Sequence, residues 1–292
     1  MNMLSTESAI SRFRRDLTLG RLLRLALMVG AVVAVGLNLS PSTRIDGTFP
    51  LLVIGFVWVI LSYRSIKGNR LAAESPSLIA AGQLDAAEQH IELALRSFSL
   101  FRSGKMLSLH HLALLRHAQR RWRDSALISR ALLQQRFSGP AYITKPSQLL
   151  LADALLELGD LPGAYRSLAA LSREKLSLGE AMNFLLVQLD YESRLQAWDS
   201  MIARGSMYQR LQLIELMPTV NAARAQALMA LAAIKIGRQD WAQWLRGRAE
   251  LLVDAKELIA ERPFLSEVWP DAAGANGSAV SLIPSPGIPG EG

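Results

Sequence analysis

Two apolar runs without a charged residue lie close together near the start of this chain of 292 residues. The first is LALMVGAVVAVGLNL, directly after Arg24, and the second is FPLLVIGFVWVILSY, from Phe49 to Tyr63. A lipid interior offers the backbone no hydrogen-bond partners, so a single segment that crosses it must be helical. Each run is slightly shorter than the roughly 20 residues that a spanning helix needs, so Arg24 and Arg64 would have to reach back to the headgroups. The runs predict two transmembrane helices, at about 22–39 and 49–63.

The charges beside these runs predict their orientation. The linker SPSTRIDGT is short, so the two helices form an antiparallel hairpin. Five arginines precede the first helix and Arg64, Lys67 and Arg70 follow the second, whereas the linker carries only Arg44, offset by Asp46. Positive flanks favour the cytoplasmic side. We therefore expect a multi-pass protein of the plasma (inner) membrane with both termini in the cytoplasm.

The flanking segments complete the predicted domain order. Residues 1–20 are expected to form a cytoplasmic leader, and the glycine-, proline- and serine-rich residues 269–292 a flexible tail. The second membrane helix should run on as far as Pro76, because proline disfavours a helical residue before it. A buried core helix is the alternative for either apolar run. A secretory signal peptide is a further alternative for the first run, but the second run and the lack of a small-residue cleavage site argue against it.

A helix–turn–helix pattern occupies residues 149 to 171, LLLADALLELGDLPGAYRSLAAL. Its leucines recur at intervals of three and four, which places them on one helical face. Gly159 suits the left-handed conformation that ends a helix, and Asp160 can cap the next one. The stretch therefore predicts a helical hairpin, with the small residue Ala164 where the arms come close.

Small residues return along the chain at a nearly constant spacing. GQLDAAEQHIELAL at 82 to 95 repeats the glycine, leucine and alanine of GDLPGAYRSLAAL at 159 to 171, and RRWRDSALISRALL and GRQDWAQWLRGRAELL follow the same pattern less closely. The small positions Ala87, Ser125, Ala164 and Ala242 are 38, 39 and twice 39 residues apart. One such hairpin cannot bury its apolar face alone, so the spacing predicts stacked helix pairs.

These motifs resemble the tetratricopeptide-repeat (TPR) superfamily, whose unit is a helix, a tight turn with glycine, and a second helix with a small residue. LADALLELGDLPGAYRSLAAL carries the resemblance best, and the likeness covers roughly residues 74 to 262. It implies an all-α fold in which a TPR-like right-handed α-solenoid of about five helix pairs, within residues 64–268, follows the transmembrane hairpin. Arg120 stands where the family has glycine, and YESRLQAWDSMIA shows no clear turn.

The resemblance also implies a concave groove that binds a protein or peptide partner. Counted from the small residue of each first helix, the residues expected in that groove are His110, His117, Asp153, Arg224 and Lys235.

A run of basic residues lies in the second repeat. Residues 64 to 136 carry twelve Lys/Arg against five Asp/Glu. Close to the membrane helices, such a patch is expected to attract anionic headgroups. Nucleic-acid binding is the alternative, although Trp122, the aromatic residue among these charges, is assigned to the core by the repeat. The predicted patch consists of Arg102, Lys105, Arg116, Arg120, Arg121 and Arg123.

The sequence carries no sign of catalysis. It has no cysteine and none of the common phosphate-loop, dinucleotide, zinc-protease, serine-hydrolase or kinase motifs. In the cluster of His110, His111 and His117, only His110 and His117 share a helical face, and no carboxylate or third ligand is placed with them, so no metal site and no cofactor are expected. We expect a membrane-anchored helical-repeat scaffold or adaptor rather than an enzyme. The alternatives are a structural protein that oligomerises at the membrane surface and a non-catalytic subunit of a membrane enzyme complex.

Overall fold

The computed structural model describes residues 5–39, 48–97, 99, 102–134 and 141–270. These residues form helices and the turns between them, with no β-strand in the described ranges, which confirms the prediction of an all-helical fold. The chain divides into two compact units, Met1–Arg173 (unit 1) and Glu174–Gly292 (unit 2). Most of the linker between the apolar runs, and the predicted tail beyond residue 270, lie outside the described residues.

The helices follow one another through both units with short connections. In unit 1 they are α1 (Thr6–Leu39), α2 (Thr48–Ala80), α3 (Leu84–Arg96), α4 (Arg102–Ala118), α5 (Trp122–Leu133), α6 (Ala141–Glu157) and α7 (Leu161–Leu171). In unit 2 they are α8 (Leu178–Arg194), α9 (Trp198–Met201), α10 (Arg204–Glu215), α11 (Thr219–Lys235), α12 (Gln239–Glu250) and α13 (Ala255–Glu261), followed by a 3-10 turn at Pro263–Glu267.

Five helix pairs in the described part of the chain are joined by the same turn, and we call these pairs hairpins 1 to 5. In each, one residue with positive φ donates its N–H to the carbonyl three residues earlier, and the next residue donates to the carbonyl five residues earlier. This is the Schellman geometry that closes a helix. The pairs are α2/α3, α4/α5, α6/α7, α8/α9 and α11/α12, and the positive-φ residues are Gly82, Arg120, Gly159, Gln196 and Gly237.

The turn of hairpin 4 is one that the sequence pattern failed to indicate. Gln196 has φ 56°, its N–H donates to Ser193 O at 3.0 Å, and the N–H of Ala197 donates to Glu192 O at 2.9 Å. Arg120 likewise adopts φ 58° in hairpin 2. The turn therefore forms without glycine at two of its five occurrences, because the closing hydrogen bonds come from the backbone.

The small residues singled out by their spacing are buried in the second helix of their hairpins. Ala87, Ser125 and Ala164 are fully buried and Ala242 is 4% exposed. Ser125 also donates from Oγ to Ala113 O on the first helix, at 3.0 Å. A large side chain at these positions would have to push two helices apart.

The position of the small residue is occupied in hairpin 4 by Met201. Its side chain is fully buried, and its N–H bonds to the same relative carbonyl, that of Ala197. The helix that carries it, α9, has only four residues. The larger side chain therefore accompanies the shortest second helix of the five hairpins.

Neighbouring hairpins of unit 1 pack through their first helices, since α2 contacts α4 and α4 contacts α6. The second helices α3 and α5 also contact the first helix that follows each of them. The resulting core of fully buried apolar side chains includes Ile91, Met106, Leu109, Leu115 and Ile128.

Helix α1 belongs partly to this core. Ala9, Phe13 and Leu17 recur every four residues, are at most 8% exposed, and pack into the same cluster as Ile91 and Met106. Residues 6–20, the helical part of the leader expected from the sequence, therefore continue without interruption into the first apolar run and contact the hairpins.

Helix α2 joins the second apolar run to hairpin 1. It extends from Thr48 to Ala80 as one helix of 33 residues, with Pro76 inside it, so the expected stop before this proline is wrong. Pro76 has no N–H for the carbonyl of Ala72, four residues earlier. His111 Nδ1 lies 2.7 Å from that buried carbonyl oxygen and donates to it, because a carbonyl oxygen can only accept. A side chain from α4 thus replaces the helical hydrogen bond that the proline removes.

Two segments could cross a membrane by their length and composition, Thr6–Gly36 in α1 and Thr48–Ile66 in α2. Their apolar side chains are unusually exposed, for example Val32 at 67% and Phe49 at 72%. Water disfavours such exposure, whereas a lipid interior does not. Arg24 donates from Nε to Gly20 O at 3.0 Å, which turns its charged end toward the polar start of α1, as expected of an arginine near a membrane boundary.

Unit 2 has its own core around α11. This helix buries a row of small side chains, including Ala223, Ala227 and Ala230, and contacts α8, α9, α10 and α12. Trp269, placed at the start of the flexible tail by the sequence, is instead 1% exposed and donates from Nε1 to Glu250 Oε1 at 2.6 Å. The folded part of unit 2 therefore reaches at least this tryptophan.

Candidate functional site

The groove residues expected in unit 1 lie between the first helices of hairpins 2 and 3. The hydroxyl of Ser147 on α6 is 2.8 Å from His110 Nδ1 on α4, and Asp153 Oδ2 is 2.9 Å from His117 Nε2. The His117 ring also meets Trp122 edge-on, with ring centroids 4.7 Å apart. The structure therefore brings His117 and Asp153 together, but as partners of each other.

The environment of His110 keeps it neutral. Burial, and then the nearby ring of His111, lower the pKa of His110 from 6.5 to about 4. Burial also lowers the pKa of His111, against the opposing effect of its hydrogen bond to Ala72. His110 is thus an uncharged bridge between α4 and α6 near pH 7, and it does not supply a cation for a peptide ligand.

Two members of the predicted basic patch are interior residues, which corrects their assignment to a membrane-facing surface. Lys105 is 1% exposed; its Nζ lies 2.9 Å from Asp16 Oδ2 and donates to Leu95 O, at the end of α3, at 2.6 Å. Burial lowers the pKa of Lys105, and Asp16 opposes that effect. A cation at the carboxyl end of a helix is favourable. Lys105 therefore ties α1 to the end of α3.

Arg116 is the second interior member of the patch, with no solvent exposure. Its guanidinium donates to Glu88 Oε1 at 2.9 Å and to Gln119 Oε1 at 2.7 Å. Burial alone would raise the pKa of Glu88, but the hydrogen bond and charge of Arg116 bring it below its ordinary value. The Arg116–Glu88 pair therefore joins hairpin 1 to hairpin 2, because Glu88 lies on α3 and Arg116 on α4.

The other four members of the patch separate into two places. Arg120, Arg121 and Arg123 are exposed around the turn of hairpin 2, where Arg121 pairs with Asp124 at 2.6 Å. Arg102, at the start of α4, is half-buried, and its pKa is lowered first by burial and then by the charges of Arg21 and Arg24. The six residues do not form one continuous surface.

Arg224, the groove arginine expected in unit 2, pairs with a buried carboxylate that the sequence did not indicate. Asp190 on α8 has no solvent exposure, and its Oδ2 accepts from Arg224 at 3.1 Å and from Arg262 at 3.0 Å. A buried carboxylate is costly unless cations compensate it. Arg224 is therefore an internal partner of Asp190 and also lies 3.3 Å from Glu261. The sequence signal for this buried site was Asp190 itself, an acidic residue within the mostly apolar stretch FLLVQLDYE.

A cavity of about 330 Å³ opens in unit 2 beside the turn of hairpin 4. Leu231 on α11 and the rings of Trp198 and Phe264 supply its apolar lining. Lys235 and Glu267, which pair with each other, are the exposed charges at its edge. Lys235, a predicted groove residue of unit 2, thus borders an open site.

Trp241 and Trp244 form a second aromatic surface, on α12. Their rings meet edge-on at 5.9 Å, and the guanidinium carbon of Arg248 lies 4.8 Å from the centre of the Trp244 ring. Trp244 is 44% exposed, so it is only partly a packing residue.

No protein-family model, no curated protein and no solved structure matches this chain. Its candidate sites therefore rest on their own geometry. The cavity beside hairpin 4 combines apolar walls with opposite charges at its edge, as ligand pockets commonly do.

Proposed function

We propose that the chain is a membrane-anchored adaptor. In this proposal two helices cross the plasma (inner) membrane, both termini are cytoplasmic, and TPR-like hairpins stacked as a right-handed α-solenoid bind a protein or peptide partner. The single observation that carries the proposal is helix α2, which contains the second apolar run and continues as the first arm of hairpin 1. A partner bound to the hairpins would thereby be held next to the bilayer.

The recurring turn supports the repeat part of the proposal. Gly82, Arg120, Gly159, Gln196 and Gly237 are 38, 39, 37 and 41 residues apart and share one hydrogen-bond pattern. Recurrence at this spacing is typical of helical-repeat proteins, whose exposed surfaces serve mainly as binding sites.

The cavity of unit 2 is the best candidate for the partner site. Its volume of about 330 Å³ lies at the lower end for ligand pockets, which suits one or two inserted side chains better than a large cofactor. Phe264 and Trp198 would contact an apolar side chain of the partner, while Lys235 and Glu267 would meet its polar groups. A short peptide segment with an apolar anchor fits these features.

Affinity purification of the full chain in mild detergent tests the partner site. Phe264 is 37% exposed, so Phe264→Asp introduces a charge into the cavity without emptying the core. Tyr208→Asp, at a 71% exposed aromatic residue of the same unit, is the matched control. We expect wild type and control to recover similar amounts of the partner. Phe264→Asp should lower the amount recovered by at least about tenfold. Equal recovery from all three would exclude this cavity, and recovery of the chain alone would favour the oligomerising alternative.

Thiol labelling in intact cells tests the membrane topology. Because the chain contains no cysteine, an introduced one is the sole target. Ser42→Cys in the linker should react with an impermeant reagent from outside, whereas Ser172→Cys, at an exposed residue after α7, should react only after permeabilisation. The opposite pattern would reverse the orientation, and release of the chain by alkaline carbonate would contradict the anchor itself.

A further inference from the structure

A cavity of about 500 Å³ lies between the first part of α1 and the end of α3. Four of its lining residues lie on α1. Ser11, Arg12 and Arg15 follow Ser8 by three, four and seven residues, so the four share one face of this helix. Arg96 from the last turn of α3 completes the lining. The lining thus consists of three guanidinium groups and two hydroxyl groups, without a carboxylate.

The cations of this cavity are incompletely compensated. Arg96 pairs with Glu92 one turn earlier on α3. Within the described residues no carboxylate lies within ion-pair distance of Arg12 or Arg15. Both serine hydroxyls already donate to the backbone of α1, Ser8 to Ser5 O at 2.8 Å and Ser11 to Ser8 O at 3.0 Å. The guanidinium groups are therefore the donors available to a ligand.

The packing of α1 holds these like charges together. Ala9 and Phe13 are buried against the hairpins, and Asp16 is paired with Lys105 at 2.9 Å, so α1 cannot turn its basic face away without breaking these contacts. An anion that binds between neighbouring cations reduces their mutual repulsion. The first turn of α1, which contains Ser8, adds the positive end of a long helix.

From this arrangement we propose that the cavity binds a phosphate monoester. Guanidinium groups recognise phosphate through paired N–H donors, and a doubly charged monoester best offsets two uncompensated arginines. The cavity is large enough for a phosphate together with the group that it esterifies. Residues of unit 1 form this site and residues of unit 2 form the proposed partner cavity, so neither proposal depends on the other.

The position of the cavity relative to the exposed apolar surface leaves two sources for such a phosphate. Leu19, at 47% exposure, begins that surface on α1, four residues after Arg15. At about 1.5 Å per residue, Arg15 lies roughly 6 Å from Leu19 along the helix. A membrane lipid with a terminal phosphate would reach the cavity from the headgroup layer, and a soluble phosphate ester would reach it from the aqueous side.

Binding to the full chain in phosphatidylcholine nanodiscs tests the proposal and separates the sources. One set of discs also contains phosphatidic acid, a lipid phosphate monoester, and a second contains phosphatidylglycerol, a diester of lower charge. The soluble probes are inorganic phosphate and glycerol 3-phosphate, titrated into plain discs. We expect preferential retention of phosphatidic acid by native mass spectrometry if the ligand is a lipid, and calorimetric binding of the soluble probes if it is not.

Arginine variants decide whether the cavity is responsible. Arg12→Gln combined with Arg15→Gln should weaken binding of the effective probe at least about tenfold, because two charge-assisted contacts are lost. Arg14→Gln, at an exposed position of the same helix outside the cavity, should stay within about twofold of wild type. Equal losses in both variants would show a general charge effect and overturn the site. Absence of binding by every phosphate monoester probe would overturn it as well, without bearing on the partner site.

Discussion

Replacement of His111 should reveal how much the proline inside α2 lowers the free energy of unfolding when its lost hydrogen bond is not replaced. His111 is 6% exposed and donates to the carbonyl of Ala72, which Pro76 leaves without a helical donor. His111→Ala orphans this buried carbonyl, which costs about 1–3 kcal/mol, and also removes the packing of the ring. In the Pro76→Ala background, residue 76 regains an N–H that can bond to Ala72 O. The carbonyl part of the cost should then disappear, which gives a coupling of about 1–2 kcal/mol between positions 76 and 111.

Urea unfolding of the full chain in mild detergent, followed by far-ultraviolet circular dichroism, measures this cycle. Wild type, the two single variants and the double variant must unfold with similar slopes for their free energies to be compared. His110→Ala is the matched control, because its ring faces Ser147 rather than α2 and its cost should be equal in both backgrounds. If His111→Ala costs the same with proline or alanine at position 76, the proposed replacement of the helical hydrogen bond is wrong.

Three further predictions concern the turns without glycine, the buried carboxylate of Asp190 and the pKa of His110. Each is measured by unfolding of the full chain. Arg120→Gly and Gln196→Gly should each raise the free energy of unfolding by about 0.5–1 kcal/mol, because glycine adopts positive φ without strain; a loss instead would show that these side chains contribute more than their strain costs. Asp190→Ala should remove about 3–5 kcal/mol, because it takes away the buried carboxylate that accepts from both Arg224 and Arg262, and a loss below about 1 kcal/mol would contradict this. Because burial holds the pKa of His110 near 4, the folded state binds fewer protons than the unfolded state between about pH 4 and 6.5. Stability should therefore fall as pH is lowered through this window, and His110→Gln should reduce that slope; an unchanged slope would exclude this histidine as its cause.

The helical fold could be predicted from local patterns because the apolar spacing and the glycines act within one hairpin. Gly82, Gly159 and Gly237 identify three turns directly. The turn at Gln196 could not be found this way, because its hydrogen bonds are made by the backbone and leave no mark on the side chain. The continuation of α2 through Pro76 depends on His111, 35 residues further along the chain, which no local pattern reports.

The candidate sites were harder to predict, since charge alone does not indicate burial. Lys105 and Arg116 looked like neighbours of exposed arginines, yet each has a carboxylate from another helix that compensates it in the interior. Lys235 was expected in the groove and does border a cavity. The aromatic walls of that cavity come from α9 and the 3-10 turn, which the repeat pattern did not place near α11.

The insertion of Phe13 among the hairpins has a practical consequence for preparing the hairpins in water without the two apolar runs. A fragment that starts after the second apolar run would lack this ring, and a hole would open in the core cluster to which Met106 and Leu109 also belong. Lys105 would also lose its counter-ion. Such a fragment should be poorly soluble or partly unfolded for reasons unrelated to lipid, and supplying residues 5–17 as a separate peptide should restore it.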